Sequence, residues 1–367
     1  MSQAPISNLG PQSNRLEFAD GIRGLAALWV VLFHASEGGH LNRLKAVLPS
    51  VASTALFDWG HLGVAVFFVL SGFVMAYSIR KYSFTPAFGG RFMLRRLLRL
   101  TPPYYASIVF VIAYVSGKAL VQGQYLPLPR PAILAAHAAY LQDILSLDTL
   151  SVVYWTLCIE IQFYFAFVAL MLASHWCTAR SGIGAGARLL TMLSALVGLP
   201  WAFGWLTVPI YTGGFLSFWY CFMLGVLVCD QERDRGMRGF FWFYVATIAA
   251  SQIYGGSGVT GAALVATALI YCGRRFAVLD RLLSGRALKF LGLVSYSLYL
   301  THNQTTGATA FALKRLAGTS AMNELALLLA IVMSSLFVAW IAYSLVERPS
   351  TALSRMVSLG SSTPIRT

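Results

Sequence analysis

The sequence predicts an all-α polytopic membrane protein of about ten transmembrane helices with both termini cytoplasmic. Composition is the first observation. Of 367 residues, 57% are hydrophobic and only 11% are charged, whereas a soluble domain carries about 25% charged residues. The second is that the apolar residues fall in runs near the length that crosses a bilayer, about 20 residues. The third is the distribution of Lys and Arg between those runs.

Ten segments qualify: 22–39, 60–79, 102–120, 152–173, 188–206, 214–230, 239–254, 259–273, 290–312 and 323–346. Residues 189–229 hold no charge until the next crossing ends, too long for one span, and are divided at "GLPWAFGWLTVPIYTGG", where Gly and Pro break the run. Residues 239–273 are divided likewise at "GGSGVTG". "TPP" at 101–103 reads as the start of the third helix. "PAILAAHAAYLQ" (131–142) is too short to span and reads as interfacial or re-entrant. With the N-terminus inside, cytoplasmic segments hold 21 of the 27 Lys and Arg residues, as the positive-inside rule requires.

The whole chain, 1–367, reads as one integral-membrane domain, with a polar segment at 1–17 and a cytoplasmic tail at 350–367. The N-terminus has no cleavable signal pattern. The net charge of +14 does not mark a nucleic-acid binder, because the basic residues sit between apolar runs rather than on one polar face. Five cysteines without a C-x-x-C pair suggest neither a disulfide framework nor a metal site.

Chemistry enters with "FADGIRGLAALWVVLFHA" (18–35), a spanning helix with three ionisable groups. Arg23 and His34 are 11 residues apart, three turns to within about 20°, and share a face across about 16 Å of rise. Asp20 is placed for an (i, i+3) pair with Arg23. One charge in lipid costs at least about 2.5 kcal/mol, so this face must look into a protein-lined cavity. The bland alternative puts Asp20 and Arg23 at the interface, snorkelling.

Further polar groups interrupt later spans. Glu160 reads as the only carboxylate inside a span after the first, with Tyr164 one turn on. Trp155 belongs either to the interfacial aromatic belt or to a sugar-stacking platform. Arg95, Arg96 and Arg99 cluster before "TPP", with Arg96 and Arg99 at (i, i+3). They anchor to anionic lipid or grip phosphate. Ser71 and Gly72 form a small mid-span pair, suited to close helix approach or to a thin-walled passage. Ser295, Tyr299 and His302 make a polar stripe on the ninth helix.

Several of these segments, in order, resemble the acyltransferase 3 family of integral-membrane enzymes. They are the Arg and His separated by ten intervening residues in "DGIRGLAALWVVLFH", "GVAVFFVLSGF" (63–73), "RRLLRLTPPYY" (95–105), "YWTLCIEIQFY" (154–164), "LGLVSYSLYLTH" (291–302) and "VERP" (346–349). The resemblance implies an acyl-CoA donor, most often acetyl-CoA, approached from the cytoplasm. It implies as acceptor a hydroxyl of an extracytoplasmic glycan or glycolipid, and residence in a bacterial-type cytoplasmic (inner) membrane. Many family members carry a further hydrolase-like domain after the tenth helix; here the membrane unit is expected to act alone.

Transfer from a thioester to a hydroxyl needs a base, oxyanion stabilisation and a grip on the anionic coenzyme. On this reading His34, Arg23 and Glu160 are catalytic. Arg95, Arg96, Arg99 and Ser71 receive the coenzyme, and Trp155, Tyr164, Tyr299 and His302 receive the acceptor. No metal is expected. Asp20 is about 21 Å of rise from His34 and cannot orient it. The rival reading is a proton-coupled transporter of a small anionic or sugar-like solute, which would use the same intramembrane Arg, His and Glu.

Overall fold

The computed structural model describes residues 17–181, 185–207, 214–232, 235–276, 283 and 285–360, and their regular structure is entirely helical. Arg15, Arg233, Arg281 and Arg366 of the positive-inside tally, and most of the polar segment at 1–17, lie outside the described residues.

Helix α1 (Glu17–Glu37) is followed by α2 (Asn42–Val47), α3 (Ser50–Leu56), a 3-10 turn (Asp58–Leu62), α4 (Gly63–Ile79), α5 (Pro86–Val121) and α6 (Pro131–Ala138). Then come α7 (Trp155–Ser181), α8 (Ala185–Val197), α9 (Leu199–Ala202), α10 (Trp219–Asp230), α11 (Arg235–Ser251) and α12 (Gly258–Arg275). The chain closes with α13 (Arg286–Ala312), α14 (Ala321–Ala342), a π turn (Tyr343–Glu347) and α15 (Arg348–Met356). Hydroxyl caps start several of these helices. Thr85 Oγ1 accepts from Phe88 N at 3.2 Å ahead of Pro86, Ser257 from Thr260 N at 3.3 Å, and Ser320 from Asn323 N at 3.1 Å.

Among the described residues, five helical stretches are long and apolar enough to cross a membrane: Phe18–Glu37, Ser50–Ile79, Pro86–Val121, Trp155–Arg180 and Ala321–Met356. Gly186–Ala202 and Phe215–Asp230 are apolar but shorter. Helix α13 has 27 residues, about 40 Å, but it turns Ser295, Thr301, His302, Gln304, Thr305 and Thr306 into the interior and is correspondingly less apolar.

One boundary differs from the sequence reading. Helix α5 does not begin at "TPP"; it runs unbroken for 36 residues with Pro102 and Pro103 inside it. The prolines remove the donors that would reach the Leu98 and Arg99 carbonyls. Beside that gap the Tyr296 hydroxyl donates to the Leu100 carbonyl at 2.8 Å, so a neighbouring helix supplies part of what the prolines remove. Thirty-six residues rise about 54 Å, well beyond a hydrocarbon core of about 30 Å. Arg91, Arg95, Arg96 and Arg99 therefore sit on a regular helix, and their angular placement is fixed.

Two seams build the bundle. Helix α1 packs along α13, and a Cβ on Gly24 would stand 2.6 Å from the Gly292 nitrogen. His34 and His302 also meet, with ring centroids 5.1 Å apart. Both contacts have the same offset along the chain, so α1 and α13 run parallel and in register. The second seam joins α4 to α10. There a Cβ on Gly72 would come within 1.9 Å of the Phe222 carbonyl, and one on Gly225 within 1.9 Å of the Val69 carbonyl. Gly72 thus serves close helix approach, while its neighbour Ser71 makes a polar contact described below.

The α6 segment is neither a span nor loose. His137 is fully buried; its Nε2 accepts from Leu150 N at 3.1 Å, and its Nδ1 faces the Tyr104 hydroxyl at 2.9 Å. Because Nε2 accepts, the proton sits on Nδ1 and the ring is neutral. Burial pulls its titration below the ordinary 6.5. A depressed folded value means that the stability from neutral His137 is whole above about 6.5 and is lost as pH falls through the lowered value. The protection of residues 131–154 against hydrogen exchange, corrected for the slower intrinsic exchange in acid, should therefore fall as the pH drops below about 6.5, and His137→Ala should bring that lower protection to neutral pH.

Candidate active site

The sequence-predicted residues gather at two ends of α1. At the Arg23 end, Arg23 Nη1 lies 3.3 Å from Asp20 Oδ1, both about one-fifth exposed. Helix α5 brings Arg96, whose Nη2 donates to Ser78 Oγ at 3.0 Å and whose guanidinium carbon stands 5.3 Å from the Phe92 ring and 5.9 Å from the Tyr164 ring. Helix α7 brings Glu160 and Tyr164 on one face, as their (i, i+4) spacing predicts. The Glu160 carboxylate accepts from Ser71 Oγ at 2.5 Å and from the Tyr164 hydroxyl. Arg23, Arg99, Glu160 and Tyr164 all act electrostatically on Arg96. Arg95 is about 100° around the helix from Arg96 and shares a side with Arg99 one turn on.

A carboxylate that the sequence reading passed over completes this end. Glu347 is buried, accepting from Ser297 N at 3.2 Å and Ser297 Oγ at 2.6 Å, within the field of Arg99 and Arg23. It ends the π turn, an irregularity common at functional sites. Glu324 is a second overlooked buried carboxylate, contrary to the reading of Glu160 as the only one after the first span. It accepts from Leu44 N at 2.8 Å and Gly318 N at 3.1 Å and ties two connections together.

At the other end, about 16 Å along α1, His34 Nδ1 lies 2.5 Å from Glu37 Oε2. Across the seam His302 is fully buried, with Nδ1 2.8 Å from the Tyr299 carbonyl and 3.1 Å from the Leu298 carbonyl. Carbonyls only accept, so Nδ1 carries the proton and Nε2 holds a lone pair; that Nε2 has no hydrogen-bond partner. Tyr299, one turn earlier, pairs its hydroxyl with Thr156 Oγ1 at 2.8 Å and donates to the Val153 carbonyl at 3.3 Å. A cavity of about 400 Å³ opens here, lined by His34, Glu37, His40, Asn303 and Thr306 among others. Thr306 Oγ1 is buried without a partner.

Trp155 stands apart, its ring against Phe68 and Phe218 at centroid distances of 6.3 and 5.5 Å. Neither it nor Tyr164 lines the cavity at His34. A second cavity of about 410 Å³, between α4, α7, α8 and α10, is lined by none of the predicted site residues.

A half-buried cation–carboxylate cluster thus stands at one end of α1, and a histidine paired with a carboxylate stands beside a cavity at the other. The chain belongs to the acyltransferase family: residues 16–344 match the family described as an acyltransferase domain. Among curated proteins it is 32% identical over 166 residues to a Komagataeibacter xylinus protein described as a membrane-bound transacylase, BcsY, covering 41% of this chain and 36% of that one. It is 34% identical over 118 residues to protein 2 of the picA locus of Rhizobium radiobacter, covering 31% of this chain and 49% of that one. It is 28% identical over 177 residues to a regulator of hypoxia-inducible factor 1 of Caenorhabditis elegans, covering 42% and 34%. The matches thus span between a third and half of the length of these relatives. No solved structure matches.

Proposed function

We propose that the protein moves an acyl group, acetyl in the first instance, from cytoplasmic acyl-CoA to a hydroxyl of an extracytoplasmic glycan or glycolipid, within a bacterial-type inner membrane crossed about ten times. One observation carries the reading: α1 holds Arg23 at one end, near Arg96 of α5, and a histidine paired with a carboxylate beside an open cavity at the other, about half a hydrocarbon thickness apart. The arginine end suits the phosphates of the coenzyme, since guanidinium forks match phosphate oxygens. Arg96 and Arg99 would take the phosphates, with Arg23 flanking. The cavity at His34 suits a sugar, whose hydroxyls would meet Asn303 and His40. His34 takes the proton of the attacking hydroxyl. The parallel course of α1 and α13 is what an up-and-down bundle requires of its first and ninth helices.

The test supplies isotopically labelled acetyl-CoA to inside-out vesicles from cells with or without the protein, then analyses the envelope saccharides by mass spectrometry. The expected result is a labelled, base-labile acetyl ester that depends on the protein. Label absent from saccharide while acetyl-CoA is still consumed would overturn the acceptor class; no consumption would overturn the donor.

A further inference from the structure

We infer that Glu37 is a positioning residue for His34, holding the imidazole through Nδ1 so that Nε2 is the nitrogen that acts as base. The inference rests on the acyl-transfer reading for its chemistry and on the structure for its geometry. Glu37 lies three residues after His34 on the last turn of α1 and reaches its Nδ1 at 2.5 Å. A carboxylate only accepts, so a neutral imidazole in this pair must carry its single proton on Nδ1 and present its lone pair on Nε2. Both residues line the same cavity, so the arrangement faces the space where an acceptor would sit.

The surroundings assign this role to no other group. From α13 the nearest titratable side chain is His302, whose own Nδ1 is occupied by the Tyr299 and Leu298 carbonyls and whose Nε2 can only accept. It cannot fix the His34 tautomer through a carboxylate. His61, from the 3-10 turn, lies tilted against Phe33 with ring centroids 5.3 Å apart and pairs Nδ1 with the Asp58 carbonyl at 2.8 Å. His40 lines the cavity as a neighbour. Asp20 belongs to Arg23 at the far end. Glu37 is 52% exposed, so its contribution to stability is small; what it supplies is orientation and a counter-charge for the imidazolium that forms.

In the step this serves, the acceptor hydroxyl gives its proton to His34 Nε2 as its oxygen bonds the thioester carbonyl carbon. Collapse breaks the C–S bond, and the departing coenzyme thiolate takes the proton back from Nε2. The products are an ester and the free thiol, and the imidazole returns to its starting tautomer against Glu37.

Glu37→Gln separates orientation from bulk. The amide offers N–H as well as C=O, so the imidazole can turn its lone pair toward Nδ1 and place its proton on Nε2, where it is useless as a base. Purified protein in nanodiscs is assayed with acetyl-CoA and extracted envelope polysaccharide as probe acceptor, with equal amounts confirmed by blot. Expected is a fall in kcat of about 10- to 100-fold, with KM for acetyl-CoA unchanged because the arginines lie about 21 Å away along α1. Glu37→Asp should recover part of the loss. Undiminished kcat in Glu37→Gln, or equal loss in both variants, overturns the inference while leaving acyl transfer standing. Should the wild type itself show no transfer, that reading fails, and diethyl pyrocarbonate labelling of His34, followed by peptide mass spectrometry, still decides the tautomer. Slower labelling of His34 in Glu37→Gln upholds the pairing, and an unchanged rate overturns it.

Discussion

His34→Ala is expected to reduce acetyl transfer by about 10²- to 10⁴-fold, the usual contribution of a positioned general base, while leaving the protein in the membrane at wild-type level. The expectation follows from where the side chain sits. His34 is in the last turn of α1, beside an open cavity, so its removal enlarges a polar space and creates no void in the core. The neighbouring contacts that hold α1 in place, Gly24 on Gly292 and Ala27 and Val31 against Val294 and Leu298, are untouched. The loss should therefore fall on kcat with little change in thermal stability. His175→Ala, which removes an exposed imidazole from α7, is the matched control and should transfer at the wild-type rate. Retention of activity within a few-fold in His34→Ala would shift the base to His302, whose buried Nε2 already holds an unpartnered lone pair. The two outcomes are separated by one labelled-acetyl time course on matched membranes.

Much of this site could be read from spacing alone, because its members lie on single helices. The i, i+4 relation of Glu160 and Tyr164 and the i, i+3 relation of Asp20 and Arg23 each became a hydrogen bond or ion pair. What spacing could not reveal is the partner across a helix seam. Nothing local in "SYSLYLTH" says that His302 meets His34; that requires α1 and α13 to lie parallel in one register, a tertiary fact set by Gly24 and Gly292. Glu37 is within reach of the same i, i+3 rule and inside the 22–39 segment, but the polar face read from the sequence stops at His34 and leaves it out. The prolines of "TPP" misled for a different reason. A start signal in water is tolerated inside a membrane helix when a neighbouring hydroxyl, here that of Tyr296, reaches the backbone beside the gap. Glu347 was hidden by the π turn, since that turn breaks the regular helical spacing from which faces are read.

Gly72→Val should be a severely damaging packing change, and the reason ties the fold to the site. A Cβ at position 72 would fall 1.9 Å from the Phe222 carbonyl oxygen and 2.8 Å from its carbon, and the reciprocal Cβ at Gly225 meets the Val69 carbonyl at 1.9 Å. These are backbone atoms in the middle of two helices, with no flexible side chain to yield, so α4 and α10 must separate. Overpacking of this kind costs about 1–3 kcal/mol and sometimes more; with backbone on both sides of the seam, the upper end applies, and Gly72→Ala should already show most of the effect. Separation also moves Ser71, whose hydroxyl donates to Glu160 at 2.5 Å, so the cation–carboxylate cluster at the Arg23 end loosens with the seam. Thermal unfolding in detergent should show a lowered midpoint for Gly72→Val, and KM for acetyl-CoA should rise in whatever fraction remains folded. Gly117→Ala provides the contrast. It is also a helix-interior glycine, in α5, but a Cβ there meets nothing within 4 Å, so the substitution should stabilise by about 0.5–1 kcal/mol. Equal midpoints for the two variants would mean that α4 and α10 are not in backbone contact, and the placement of Ser71 against Glu160 would fall with that seam.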